Sequence, residues 1–477
     1  MEYESVIGLE VHVHVKTATK AFCGCSTQFG NQANSQVCPV CLGFPGTLPV
    51  LNSKFLDSAI KVGLALNCTI QEFTKFDRKN YFYPDLPKNY QISQYDLPLA
   101  LHGFIEINTN AASKRINILR VHMEEDAGKL MHKDELSLVD FNRTGMPLLE
   151  IVSEPDLHSP QEAYDYLTIL KSIIQYLDVS DCDMEKGSLR CDANISLRQI
   201  GEQRLGTKAE LKNLNSFKAV KDSLTFEIKR QAEILGRGEK IIQETRLWDA
   251  KELKTVSMRS KEEAKDYRYF PEPDLTPFLI TKEKIDKIRT TIPELPKEKA
   301  LRLIREYGLT EYDAGILVLD RKDADYAENC LMSYAPADKK PIANWLIGPL
   351  LSEAHSLNCG ICETGVSPAH LIELISFVEK QQISHLTAKS VLSEMVKSKK
   401  TASLIIKEKD LIQISDTESL QGIIEEILNA NQKSVQDYKA GKENACMFLV
   451  GQVMKKTGSR ANPKVVGELL KRRLSDA

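Results

Sequence analysis

From Ile7 to Val15 apolar and polar side chains alternate without a break. Ile7, Leu9, Val11, Val13 and Val15 keep one phase, and Glu10, His12 and His14 keep the other. A period of two predicts a strand with one buried face. A carboxylate and two imidazoles make an unusual second face, which is either wet or holds a ligand. Further on the period changes. Ser159-Pro160-Gln161-Glu162 reads as a capping box with proline at the first helical position, and Ala163, Leu167, Leu170, Ile174 and Leu177 form the apolar stripe behind it. A second helix is predicted from near Ser216, through Phe217, Val220, Leu224 and Ile228, to Gly236. Strand patterns up to residue 290 are not regularly separated by helices, which predicts an α+β fold with a mainly antiparallel sheet. After the PEPDLTP stretch at 271–277 the pattern is helical to the end, and 397–411 reads as a joint between two helical units. The expected domains are therefore 1–290, 291–405 and 406–477.

Composition leaves this picture standing. With 477 residues, 42% hydrophobic and 27% charged, the chain is an ordinary folded protein of more than one domain. A net charge of −3 argues against bulk electrostatic capture of nucleic acid. The segment 429–477 is an exception: ten Lys/Arg against four Asp/Glu leave a local excess of six positive charges. Composition alone does not decide between a solvated helical surface and RNA contact there. No run approaches the roughly 18 apolar residues of a membrane span, and no signal peptide is evident, so a cytoplasmic location is expected.

Eleven cysteines in a reducing compartment make a poor disulfide framework. Cys23, Cys25, Cys38 and Cys41 follow a C-x-C, twelve-residue, C-x-x-C spacing, which suits a closed tetrahedral thiolate cage for structural Zn²⁺. The plain alternative is four reduced, buried thiols. Cys359 and Cys362 form a second C-x-x-C with no partner pair nearby, and read as structural or incidental.

Carboxylates cluster in RVHMEEDAGK (120–129), and Glu150 lies inside the apolar run Pro147 to Val152. A carboxylate in an apolar strand needs a partner. His12, Glu125 and Glu150 can be assembled into an oxygen-rich divalent-cation site, though on spacing alone ordinary salt bridges serve equally well. The segments 75–96 and 184–217 are rich in Lys, Arg, Asp, Asn and Tyr, which suit phosphate or ribose. Neither a P-loop nor a dinucleotide-binding glycine turn is present.

The stretches IGLEVHV, KFDRKNYFYPDLPKNYQISQ, HMEEDAGK, LLEIVSEPD, GSLRCDANIS, GTKAELKNLNSF and DYRYFPEPD occur in one order over residues 5 to 275. They resemble the signatures of the B subunits of the tRNA-dependent Asp/Glu amidotransferases, as does GQVMKKTGSRANPKVV at 451–466. The resemblance implies a cradle-shaped N-terminal domain related to glutamine synthetase, followed by helical and tail domains that grip tRNA. It implies a heterotrimer whose other two members are an amidase-type glutaminase and a small bracing protein. In such a complex the B subunit uses ATP and Mg²⁺ to phosphorylate the side-chain carboxylate of Glu-tRNA(Gln) or Asp-tRNA(Asn), and ammonia displaces the phosphate. By resemblance the Mg²⁺ ligands are His12, Glu125 and Glu150, with Glu10 nearby as a further catalytic residue. Lys79, Ser188, Arg190, Asp192, Asn194, Lys208 and Arg268 fall on the nucleotide and acceptor-end pocket, and Glu124 and Asp126 on supporting positions. His14 is expected to be wet or supporting. Zinc, kept by a subset of the family, is expected to be structural. Lys455, Lys456, Arg460 and Lys464 become candidates for tRNA contact. The alternative carried forward is a tRNA-binding scaffold without catalysis.

Overall fold

The computed structural model describes residues 2–108, 113–133, 135–260, 267–412, 417–439, 442, 444–457, 461 and 463–475. The chain divides into two compact units, Met1–Pro296 and Lys297–Ala477.

The first unit is mixed α+β and built on a nine-stranded sheet with the alternating strand, Tyr3–His14, at its centre. On one side of it lie Pro147–Ser153, Ser113–Glu125, Ala100–Asn108 and Thr69–Ile70, and on the other Leu189–Gln199, Ala209–Lys212, Glu244–Asp249 and Lys254–Ser260. Every pairing is antiparallel except Ala209–Lys212 with Glu244–Asp249. The apolar phase of each strand faces the core. Leu9, Val11, Val13, Met123, Leu149, Ile151, Ala193 and Ile195 are buried together with Ile60, Leu170, Ile174 and Leu224 from three helices. These helices, Ser53–Ala65, Pro160–Tyr176 and Phe217–Gly236, cover one face of the sheet only, so the polar phase is left to line a site.

Local chemistry explains the helix starts. Ser159 Oγ accepts from Glu162 N–H at 3.1 Å, and Ser216 Oγ accepts from Ala219 N–H at 3.0 Å. Glu162 closes its box one residue early, accepting from the N–H of His158 at 2.8 Å rather than from that of Ser159. Where Pro147–Ser153 pairs with Ser113–Glu125 the register shifts between Val152 and Ser153, and there Ser153 Oγ accepts the Leu9 N–H at 2.9 Å.

The second unit is helical. One apolar cluster runs from Leu303 to Ile406 and another from Leu420 to Leu474. Its helices are capped by Thr310, Asp320, Ser367, Ser384 and Thr401, each accepting N–H groups of the first turn. A π-turn at Leu346–Leu350 absorbs Pro349, which has no N–H to give the helix. Among the described residues no helix is long and apolar enough to cross a membrane.

Candidate active site and zinc site

Antiparallel register assembles the polar face. His12 sits opposite Glu150, and Glu150 sits opposite His122 on the next strand. Glu10 and Glu124, two residues from the two histidines, share that face. His12 Nε2 lies 3.6 Å from Glu10 Oε1, 3.6 Å from Glu124 Oε1 and 3.3 Å from Glu150 Oε2. His122 Nε2 lies 3.6 Å from Glu124 Oε2 and 3.4 Å from Glu150 Oε2. Two overlapping ligand sets result, Glu10–His12–Glu150 and His122–Glu124–Glu150, each with its donor atoms within 4.8 Å of one another.

Glu125, expected beside His12 and Glu150, is not there. Strand alternation turns it to the opposite face, where it pairs with Lys88 and accepts the Ile92 N–H at 2.9 Å. Glu124 takes the place expected for it, and His122, which the sequence reading missed, joins the cluster. The signal was present in the chain, because His122 and Glu124 repeat the two-residue spacing of Glu10 and His12 with carboxylate and imidazole exchanged.

The electrostatics suit a cation. Burial raises the Glu10 pKa, and the neighbouring Glu150 charge raises it further. Burial opposes charge on His122, but Glu150 and Glu124 outweigh it and push the pKa up to about 9. His12 is raised for the same reasons, against its own burial. Glu150, although buried, is held well below the carboxylate range, chiefly by the His122 charge and the hydrogen bond with His12. Among the described residues His122 Nδ1 is buried without a hydrogen-bond partner. Three carboxylates and two imidazoles converging on one polar face fit a hard divalent ion.

Around this cluster the other expected residues separate into groups. Arg190 binds Asp126 at 3.0 Å, and Arg143 Nε and His14 Nε2 meet the same carboxylate at 3.2 and 2.6 Å. His14 is thus a bonded partner of Asp126 rather than simply wet. Asp192 binds Lys212 at 2.6 Å. Lys79 lies 4.9 Å from the Tyr267 ring; burial opposes its charge, but Glu124 foremost among its neighbours raises its pKa. Ser188 does not meet the cluster. Its hydroxyl bonds the Asp181 carboxylate and accepts the Asp183 N–H at 2.8 Å, bracing a turn at the rim of a cavity of about 640 Å³ that His14 also lines. Asn194 and Lys208 line a separate cavity of about 260 Å³ beyond Glu10. Arg268 is exposed in a left-handed conformation (φ 45°), and its carbonyl accepts from Asn80 Nδ2 at 2.7 Å. In the second unit, Lys455 and Lys456 end the helix Asn444–Lys456, with Lys456 paired to Glu426. Arg460 lies outside the described residues, and of Lys464 only the backbone, in the helix Pro463–Ser475, is described.

The sulfurs of Cys23, Cys25, Cys38 and Cys41 all lie within 4.8 Å of one another. A tetrahedral zinc with Zn–S of about 2.3 Å needs sulfurs about 3.8 Å apart, so the donor set fits. Hydrogen bonding from Cys23 pulls the Cys41 thiol down to about 4, whereas burial first and Cys38 second push Cys25 up to about 11. Lys20, fully buried, points its ammonium at Cys41 Sγ (3.7 Å) and at the Gln36 carbonyl (2.7 Å). The Cys loop and the Lys88–Glu125 pair together line a cavity of about 200 Å³. Cys359 and Cys362 pack against the helical core and belong to no metal-binding group among the described residues.

Comparison with known proteins accounts for both units. The GatB/GatE catalytic domain family matches residues 5–286, and the GatB domain family matches residues 325–474. The chain is 55% identical over 479 residues to the B subunit of the aspartyl/glutamyl-tRNA(Asn/Gln) amidotransferase of Carboxydothermus hydrogenoformans, covering 99% of each. It is 54% identical over 476 residues to that of Caldanaerobacter subterraneus subsp. tengcongensis, covering 100% of each. To that of Brevibacillus brevis it is 50% identical over 471 residues, covering 98% of each. The chain belongs to the GatB family of aspartyl/glutamyl-tRNA(Asn/Gln) amidotransferase B subunits.

Proposed function

We propose that this chain is the tRNA-binding, carboxylate-activating member of a glutamine-dependent amidotransferase. It transfers the γ-phosphoryl group of ATP to the side-chain carboxylate of Glu-tRNA(Gln) or Asp-tRNA(Asn). Ammonia then attacks the acyl phosphate, a C–N bond forms, the C–O bond to phosphate breaks, and Gln-tRNA or Asn-tRNA results. The observation that carries the reading is the cluster of Glu10, His12, His122, Glu124 and Glu150 on the open face of the catalytic-domain sheet.

Bringing two anions together is the obstacle in this reaction, and a divalent ion such as Mg²⁺ supplies charge neutralisation when bound. His12, Glu10, Glu124 and Glu150 are the residues that would hold it, with His122 behind them. Asp126 fixes the Arg190 and Arg143 guanidiniums at one end of the face, and Asp192 fixes the Lys212 ammonium towards the other. These cations stand where anionic substrate groups need counter-charges. Glu125 and Lys88 neutralise each other on the far face, so their role is support rather than metal binding.

In this reading the first unit is the cradle domain related to glutamine synthetase, with zinc as a structural pin. Residues 291–405 and 406–477 are the helical and tail domains, and Lys455, Lys456, Arg460 and Lys464 contact tRNA backbone. The complex is a cytoplasmic heterotrimer in which an amidase-type glutaminase releases ammonia from glutamine and a small third protein braces the pair.

The test is ADP release by the assembled heterotrimer, with and without mischarged tRNA, in wild type and E124Q. Release that requires the tRNA and disappears in E124Q supports the kinase role. Release indifferent to the tRNA breaks it, and full product formation by E124Q leaves a non-catalytic tRNA scaffold.

A further inference from the structure

Lys20 is fully buried at the start of the cysteine loop. Its backbone N–H donates to the Cys25 carbonyl at 2.9 Å, which anchors it to the first chelating pair. Its side chain reaches the second pair. The ammonium has three protons and meets three acceptors: the Gln36 carbonyl at 2.7 Å, the Phe141 carbonyl at 3.3 Å and Cys41 Sγ at 3.7 Å. Its hydrogen bonding is complete, but its charge is not answered. Among the described residues no carboxylate pairs with Lys20. Glu125 comes to the same corner, beside Gly145, and is already paired with Lys88. A buried ammonium without a counter-ion is strongly unfavourable, and of its three acceptors only the sulfur can carry a negative charge. Cys41 is also the most buried of the four cysteines, at 4% exposure, whereas Cys23, Cys25 and Cys38 are half-buried. Its sulfur accepts a second bond, from the Cys38 N–H at 3.2 Å. A sulfur removed from water must find its donors within the protein, and Cys41 has two.

We propose that Lys20 is the resident counter-cation of the zinc cage, and that its N–H···S contact with Cys41 sets how tightly the metal is held. The proposal rests on reading the cysteine loop as a zinc site and adds a residue to it. Four thiolates around Zn²⁺ carry an excess of two negative charges, and a closed cage leaves no position for water beside the metal. An ammonium against the most buried sulfur halves that excess without entering the coordination sphere. Each charge makes the other tolerable: the lysine can be buried because the cage is anionic, and the cage can be buried because the lysine is cationic. Lys20 is a positioning residue in this arrangement, since it touches a ligand and not the metal. Its bond to Phe141, outside the loop, fastens the cage to the rest of the unit.

In the assembled heterotrimer, K20M removes the ammonium and keeps an apolar stem, while K20Q leaves a neutral amide about one bond short of the sulfur. Zinc is titrated away from each protein with a chromogenic chelator, and the visible spectrum is recorded after Co²⁺ replaces zinc. Thermal melting checks each variant for folding. Zinc held about 10- to 100-fold more weakly in both variants, with a shifted thiolate-to-cobalt charge-transfer band, supports the proposal. A weaker hold with an unshifted band assigns Lys20 to pinning the Gln36 and Phe141 carbonyls alone and overturns it. Zinc held as tightly by the folded variants as by wild type overturns it too, while leaving the zinc reading intact. If K20M does not fold, K20Q decides alone. A wild-type heterotrimer that takes up neither zinc nor Co²⁺ removes the zinc reading itself, and the counter-cation with it.

Discussion

The two ligand-rich regions of the first unit are gathered in opposite ways. The four cysteines come from one loop, Cys23 to Cys41, with little apolar core beneath it. Glu10, His12, His122, Glu124 and Glu150 come from three separate strands and are aligned by the register of the sheet. A loop of that kind depends on its ligands for shape, whereas the strands would hold their side chains in place with or without a ligand. The lesson is that a set of candidate ligands can be a consequence of the fold in one place and a condition for it in another.

The largest effect expected from that contrast separates two adjacent residues. E124Q removes a carboxylate from the cluster without touching the core, so ADP release falls by at least about 100-fold while the melting temperature stays near wild type. E125Q does the reverse. It leaves the buried Lys88 ammonium without its counter-ion, which costs on the order of 3–5 kcal/mol, seen as earlier unfolding. Equal loss of activity at unchanged stability in both variants would erase the distinction between the two faces of that strand.

Replacing Cys41, one of the four candidate zinc ligands, as C41S, or treating the protein with a chelator, is expected to act through folding. The expected loss is several kcal/mol of stability, among the larger single-site effects, with tRNA-dependent ADP release per folded heterotrimer retained. Release that vanishes in folded, zinc-free protein would place the cysteine loop in the chemistry and overturn the comparison. The register itself can be probed at the irregularity beside the central strand. S153A leaves the buried Leu9 N–H without an acceptor and should cost about 1–2 kcal/mol by denaturant unfolding. A neutral S153A would show that water or a local shift replaces the hydroxyl.

How far each region was legible follows from the same contrast. Alternation from Ile7 to Val15 located the polar face, and capping chemistry located the helices that begin after Ser159 and Ser216. The cysteine set was readable because all four ligands sit within one short stretch at chelating intervals. The partners of His12 were not readable by spacing, since Glu150 and His122 are over a hundred residues away and only strand pairing brings them alongside. Choosing Glu125 over Glu124 ignored strand phase, because 122 and 124 share a face that 125 cannot. The two cavities flanking the cluster depend on loops at Gly187–Ser188 and Leu205–Gly206, whose approach to the sheet is a tertiary property. That is why Ser188 and Asn194, grouped together in the sequence, stand at different cavities in the structure.

The smallest effect concerns a carboxylate of the same sheet that is already satisfied. Glu244, near the sheet edge, accepts from Ser257 Oγ and Arg246 Nη1, each at 2.5 Å. Burial works to raise its pKa, but those two hydrogen bonds win and hold it below the usual carboxylate value. A carboxyl whose pKa is lower folded than unfolded stabilises the protein above the unfolded value of about 4.3, and that contribution fades as pH falls through the folded value. E244Q should therefore cost about 1 kcal/mol at neutral pH and less at pH 3. The wild-type and variant unfolding curves should converge on acidification. Glu10 has its pKa shifted the other way, by burial and by Glu150, and so contributes no such acid-sensitive stability. E10Q should leave neutral-pH stability unchanged or slightly raised while lowering ADP release. Convergence for E244Q together with an E10Q that is destabilised at pH 7 would mean that the polar face is held together by its charges rather than by strand register.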